Sequence, residues 1–250
     1  MFEMDHSELS APLYIAWRRA GRHIHRMSDG SVPWLKMHAD APPHEHLIFR
    51  IGNRLFFVFV EVPPYAVFDD VSARRLHRAA GEANGVACVM PMRPEDSDLA
   101  PAAPGWGLVN TRDGRPINPP ALVDDELVEM SAWELLDFAT LIVRTHIDRD
   151  GGHVFSWHTS VRVDPSMWFH RGDAEAYVVV RYARHPAPDP LPPDNVAELK
   201  EDIRRKTRAG GFFAGVRVAN ADDTFTTPDA ALPLYRGHGL VVAYGGLQPI

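Results

Sequence analysis

The stretch LIFRIGNRLFFVFVEV, residues 47–62, decides the fold. Two apolar runs flank Gly52-Asn53, a strong local signal for a tight turn between paired strands. The second run, Leu55 to Val62, is apolar at almost every position. Such a strand is covered on both faces, so the pattern predicts a central strand of a buried sheet. Downstream, MWFHRGDAEAYVVVRYA, residues 167–183, repeats the plan. Phe49 matches Phe169, Gly52 matches Gly172, and Val58-Phe59-Val60 matches Val178-Val179-Val180.

Working outward, Leu13, Trp17, Ala20, Ile24 and Met27 recur at spacings of three and four and predict a helix over 10–27. Arg18, Arg19, Arg22 and Arg26 lie off that stripe, either as a solvated basic face or as an anion site. A short strand over 34–38 is expected before the hairpin. After it comes a helix capped by Asp70, a strand over 86–90, a loop over 91–104 and a short strand at GWGLV, residues 105–109. The second half predicts a helix over 131–147, opened by a Ser131/Glu134 capping box. Strands over 154–160, 166–170 and 176–184 follow, then a helix from Asp194, a strand over 212–219 and a last strand after GHGLV, residues 237–241.

The expected fold is therefore α/β with mixed sheets, in two tandem similar halves. Each runs helix, three strands, helix, two strands, over 1–110 and 130–250, with 111–129 as the connecting loop. Ser10-Ala11 and Asp29-Gly30 recur as Ser131-Ala132 and Asp150-Gly151, and GWGLV recurs as GHGLV. Ordered matches of this kind point to an internal duplication.

Composition narrows the class. Of 250 residues, 45% are hydrophobic and 24% charged, as in a soluble globular protein. The apolar runs are far shorter than the roughly 20 residues a membrane helix needs, and the first residues carry acid without a basic leader region. Cytoplasm is the default compartment. The formal charge of −7 favours a protein partner over nucleic acid, since phosphate contact wants a basic surface. The single Cys88 excludes an intrachain disulfide and any zinc site of several thiolates. Few lysines beside abundant Arg, Ala and Pro fit a GC-rich bacterial coding bias.

The helix, three-strand, helix, strand order of each half resembles the core of the PD-(D/E)XK, or restriction-endonuclease-like, nucleases. The resemblance implies an acid opening the hairpin strand, a second acid in the next strand and a Lys two residues on. Together these hold Mg²⁺ and steady the attacking water. Asp164-Pro165-Ser166-Met167-Trp168-Phe169 looks like the first element, but Val179-Val180-Arg181 lacks the acid of the second. In the first half Glu45 opens the hairpin and Glu61 sits in the strand, with Pro63 where Lys would be. Glu61, Asp164 and Arg181 are thus the catalytic candidates, and Glu45, Glu61 and Asp164 the metal candidates. The order of elements is also similar to that of some small acidic secretion chaperones.

Other candidates come from the residues alone. Arg236 and His238 beside Gly237 and Gly239 could bind an anion, or the glycines serve backbone geometry only. His44 and His46 flank Glu45, either as a His-x-His metal pair or, more simply, as part of a surface loop. Glu61 and Arg181 occupy matching places in the two central strands, and burial of either charge calls for a partner; either they meet or share a polar cluster, or both lie at strand ends and reach water separately. Neither half carries a complete catalytic set. The reading is a non-catalytic binding or accessory protein that needs no cofactor. The alternatives are a Mg²⁺-dependent nuclease and an acidic protein-binding chaperone or adaptor.

Overall fold

The computed structural model describes residues 10–35, 46–95, 98–160, 163–223, 225 and 231–250. Over these residues it is mixed α/β, with four α-helices and two six-stranded mixed sheets forming two similar halves. Contacts divide the described chain between Leu127 and Val128.

The first half opens with α1 (Ala11–Met27), followed by β1 (Trp34–Leu35), β2 (His46–Ile51) and β3 (Arg54–Glu61). β2 and β3 form the hairpin expected at Gly52, whose φ of 55° favours a residue without Cβ. β3 is buried at every position from Leu55 to Val60, because each of its faces meets a helix. Ala16, Ala20 and Ile24 of α1 pack on the face that carries Phe49, Phe56, Val58 and Val60. On the other side lies α2 (Asp70–Glu82), which crosses from β3 to the parallel strand β4 (Val86–Glu95). Asp69, one residue before the expected cap, accepts the Ser72 N–H and starts this helix.

Further sequence expectations in this half are corrected by the structure. Residues 91–104 are not all loop. β4 continues through Pro91 and Pro94 to Glu95 and pairs with β5 (Asp98–Pro101) as an edge hairpin, where a missing N–H is tolerated. Met27, expected on the buried stripe, is exposed at the helix end. The sheet closes with β6 (Val109–Asn110), antiparallel to β4. Cys88 is fully buried in β4, and burial pushes its thiol pKa up. A thiol reagent is therefore expected to leave the native protein unlabelled and to label Cys88 only in denaturant. Rapid native labelling would contradict this burial.

The second half repeats the plan. α3 (Ala132–Arg149) leads into β7 (His153–Trp157), β8 (Met167–Arg171) and β9 (Ala174–Arg184). Then α4 (Val196–Arg204) crosses to β10 (Gly210–Asn220), which runs parallel to β9, and β11 (Leu240–Tyr244) and β12 (Gln248–Pro249) pair antiparallel to β10. Leu135, Ala139, Val143 and Ile147 of α3 cover the face holding Phe169, Val178, Val180 and Val216. Leu199 and Ile203 of α4 cover Tyr177, Val179 and Phe213 on the other. The capping box at Ser131 and Glu134 is present in full.

The GWGLV and GHGLV loops do not occupy equivalent places. Val109 lies opposite Val89, the parallel neighbour of Phe59 on β3. In the second half Val179 is the counterpart of Phe59 and neighbours Phe213, yet Val241 lies opposite Ala219, six residues further along β10. Trp106 is buried, stacked on Phe49 at 6.3 Å, whereas His238 is exposed.

The segment read as a connection is mostly docked. Ile117 N–H donates to Leu108 O, and residues 119–122 form a 3-10 turn against β3. The Asn53 amide donates to Asp124 Oδ1 and to Glu126 O, and Arg54 donates to Leu122 O and pairs with Asp124. The Asn53 and Arg54 hydrogen bonds hold the Asp124 carboxyl below the usual carboxylate range. Beyond Leu127 the chain joins the other half, where Met130 N–H donates to Leu234 O and Arg236 N–H to Val128 O.

Candidate functional site

Of the sequence candidates, two come together. Asp164 stands before a cis peptide bond to Pro165 at the entrance to β8, and Arg181 projects from β9 on the face of Tyr177 and Val179. Arg181 Nη1 donates to Asp164 Oδ1 at 3.0 Å and Nη2 to Oδ2 at 2.5 Å. The carboxylate side chain is 11% exposed. A bidentate guanidinium–carboxylate pair of this kind uses both carboxylate oxygens in one planar contact. A metal at that carboxylate would compete with the guanidinium for the same two oxygens.

The loop that carries Asp164 is organised by buried polar groups. His158 Nδ1 accepts the Ser160 N–H at 3.2 Å, so Nε2 carries the proton and donates to Pro165 O at 2.9 Å. Ser166 Oγ accepts the Val180 N–H at 3.0 Å, and Ser166 N–H donates to Val178 O. These bonds tie the loop to the centre of β9.

Glu61 ends β3 in the other half. Its Oε1 accepts the Phe68 N–H at 3.0 Å, across the turn closed by the Val62 and Ala66 bridge. Glu61 and Arg181 each have a hydrogen-bond partner within their own half. Glu45 and His44 lie outside the described residues. His46 is not part of a surface loop: it is the first residue of β2, its ring is mostly buried, and it packs against Phe59 at 6.3 Å between centroids. Burial, helped by the charge of Arg75, lowers its pKa to about 4, so it is neutral at pH 7. Among the described residues no three His, Cys, Asp or Glu side chains converge as metal ligands would.

Arg236 is turned inward. It is 2% exposed, and its Nε and Nη2 each donate to one oxygen of Glu134 at 2.8 Å. Glu134 Oε2 also accepts the Ser131 N–H and hydroxyl, each at 2.8 Å. The helix cap and the buried ion pair are therefore one network, which locks the start of α3 to the 234–236 segment. His238 remains exposed, edge-on to Tyr235 at 5.7 Å. Sequence reading recognised the Ser131–Glu134 cap but not its union with Arg236, because the two lie 102 residues apart.

No helix among the described residues is long and apolar enough to cross a membrane. No curated protein and no solved structure matches this chain. Residues 133–250, which make up nearly all of the second half, match the model of a family described as a domain of unknown function, DUF8840.

Proposed function

We propose that this chain is a non-catalytic binding or accessory protein of the bacterial cytoplasm, directed at a protein partner. Its halves would be duplicated copies of a nuclease-like α/β scaffold. One observation carries the reading. Two of the three acids that a PD-(D/E)XK site would spend on Mg²⁺, Asp164 and Glu61, are engaged by bonds within their own halves. Asp164 is paired with Arg181 through both oxygens, and Glu61 accepts the Phe68 N–H on one of its two. Metal-assisted phosphodiester hydrolysis needs carboxylate oxygens free to hold the ion beside the scissile bond. The net charge of −7 supports a protein partner over nucleic acid.

The test is direct. Incubated with plasmid DNA and Mg²⁺ or Mn²⁺, the protein is expected to cleave no faster than its Glu61→Ala and Asp164→Asn variants. Metal-dependent cleavage that disappears in either variant would replace this reading with the nuclease alternative.

A further inference from the structure

We infer that the outer face of α1 docks an acidic α-helix of a partner protein, with carboxylates repeating every four residues. This inference rests on the protein-binding reading above and names the chemistry of the partner.

The helix carries four arginines and no Asp or Glu, in a chain whose overall charge is −7. Its inner stripe is spent on the core, with Ala16, Ala20 and Ile24 all at 0% exposure. Arg19 leaves the outer face to pair with Asp98 at 2.8 Å. Arg18, Arg22 and Arg26 remain exposed along one row at spacings of four residues. Among the described residues no carboxylate pairs with any of the three. Tyr14 and Ile15, 47% and 48% exposed, close the N-terminal end of the row, and the Arg18 guanidinium lies over the Tyr14 ring at 5.6 Å.

Geometry selects the occupant. The backbone positions of the three arginines rise about 12 Å along the helix in steps of about 6 Å, four residues each. Carboxylates at i, i+4 and i+8 of a second helix have the same repeat, so each can meet one guanidinium in a forked hydrogen bond. Tyr14 and Ile15 then offer that helix an apolar contact at one end. A membrane surface fits less well. An interfacial helix buries its apolar face in lipid, and that face of α1 already lies on the sheet. Duplex DNA fits less well too. It carries one charge per about 1.7 Å and would run beyond a 12 Å row onto an otherwise acidic chain.

Fluorescence anisotropy can decide the matter. The probe is a labelled alanine-based peptide of about 24 residues, long enough to be helical, with Glu at every fourth position. Its controls are a peptide of the same composition with the Glu positions scrambled and a duplex of about 20 base pairs. The regular peptide is expected to bind best, and to lose about tenfold or more in affinity with the triple variant Arg18→Glu, Arg22→Glu, Arg26→Glu. A milder triple Arg→Gln variant should fall between, and circular dichroism should show both variants folded as the parent. Equal binding of the scrambled peptide, tighter binding of the duplex, or affinity unchanged by charge reversal would each overturn the inference. So would absence of peptide binding. The plasmid assay on the same preparation reads the non-catalytic proposal separately, since cleavage would sink that proposal whatever the peptide does.

Discussion

Arg236→Ala is expected to destabilise the second half by about 3–5 kcal/mol, the largest single-residue effect foreseen for this chain. The guanidinium and the Glu134 carboxylate are each 1% exposed as side chains, so removing one leaves the other charge buried. Glu134 would keep the Ser131 N–H and hydroxyl, which soften the loss without replacing two charged donors. Replacing both partners, as in Glu134→Met with Arg236→Met, is expected to recover part of the stability. The paired charges then vanish together, although the Ser131 cap loses its acceptor. Urea unfolding followed by circular dichroism measures both. A loss below about 1 kcal/mol in Arg236→Ala would mean that water reaches the carboxylate, contrary to its burial.

The second large effect is set by pH. His46 titrates at about 4 in the folded chain, chiefly because burial disfavours the imidazolium and secondarily because Arg75 repels it. In the unfolded chain its pKa returns to about 6.5. Between those values the unfolded state binds more protons, so stability rises with pH through the window. The contribution is fully present above pH 6.5 and is lost as pH falls toward 4, by up to about 3 kcal/mol. Carboxylates titrate in part of the same range, so the informative quantity is a difference. The His46→Leu variant should lose less stability than the parent between pH 6.5 and 4, with the gap widening toward the acid end. Parallel stability–pH curves for the two proteins would show that the imidazolium is accommodated in the folded state.

Much of the fold was legible because it depends on near neighbours in sequence. The Gly52 turn, the doubly buried β3 and the Ser131 cap each follow from residues within one element or one turn of it. The Pro91 and Pro94 extension was hidden for a reason equally local. Proline argues against a strand unless that strand is at an edge, and edge position is a property of the sheet. His46 was hidden because a His beside a Pro-rich stretch reads as surface, while its burial comes from Phe59 across the hairpin. The candidate site was the least legible part. Asp164 and Arg181 were named as catalytic candidates in their own right, and nothing in their spacing shows that they close on each other. Arg236, whose glycine neighbours allow either an anion loop or a turn made for backbone geometry alone, is consumed by a glutamate 102 residues away in sequence. Pairings across long sequence separations leave no periodic trace, and in this chain they decide which charges face water.

The docking of residues 117–127 onto the β2–β3 hairpin bears on how the chain can be divided. A fragment ending near Asn110 would strip the Asn53 amide of Asp124 and Glu126, unpair Arg54 and uncover the Val123 contact at Gly52. Val128 and Met130, in turn, supply the hydrogen bonds that hold the segment bearing Arg236. The natural scissors point is therefore the single peptide bond between Leu127 and Val128. A cut upstream of it amputates the first half, and a cut a few residues downstream unlaces the network that fastens α3.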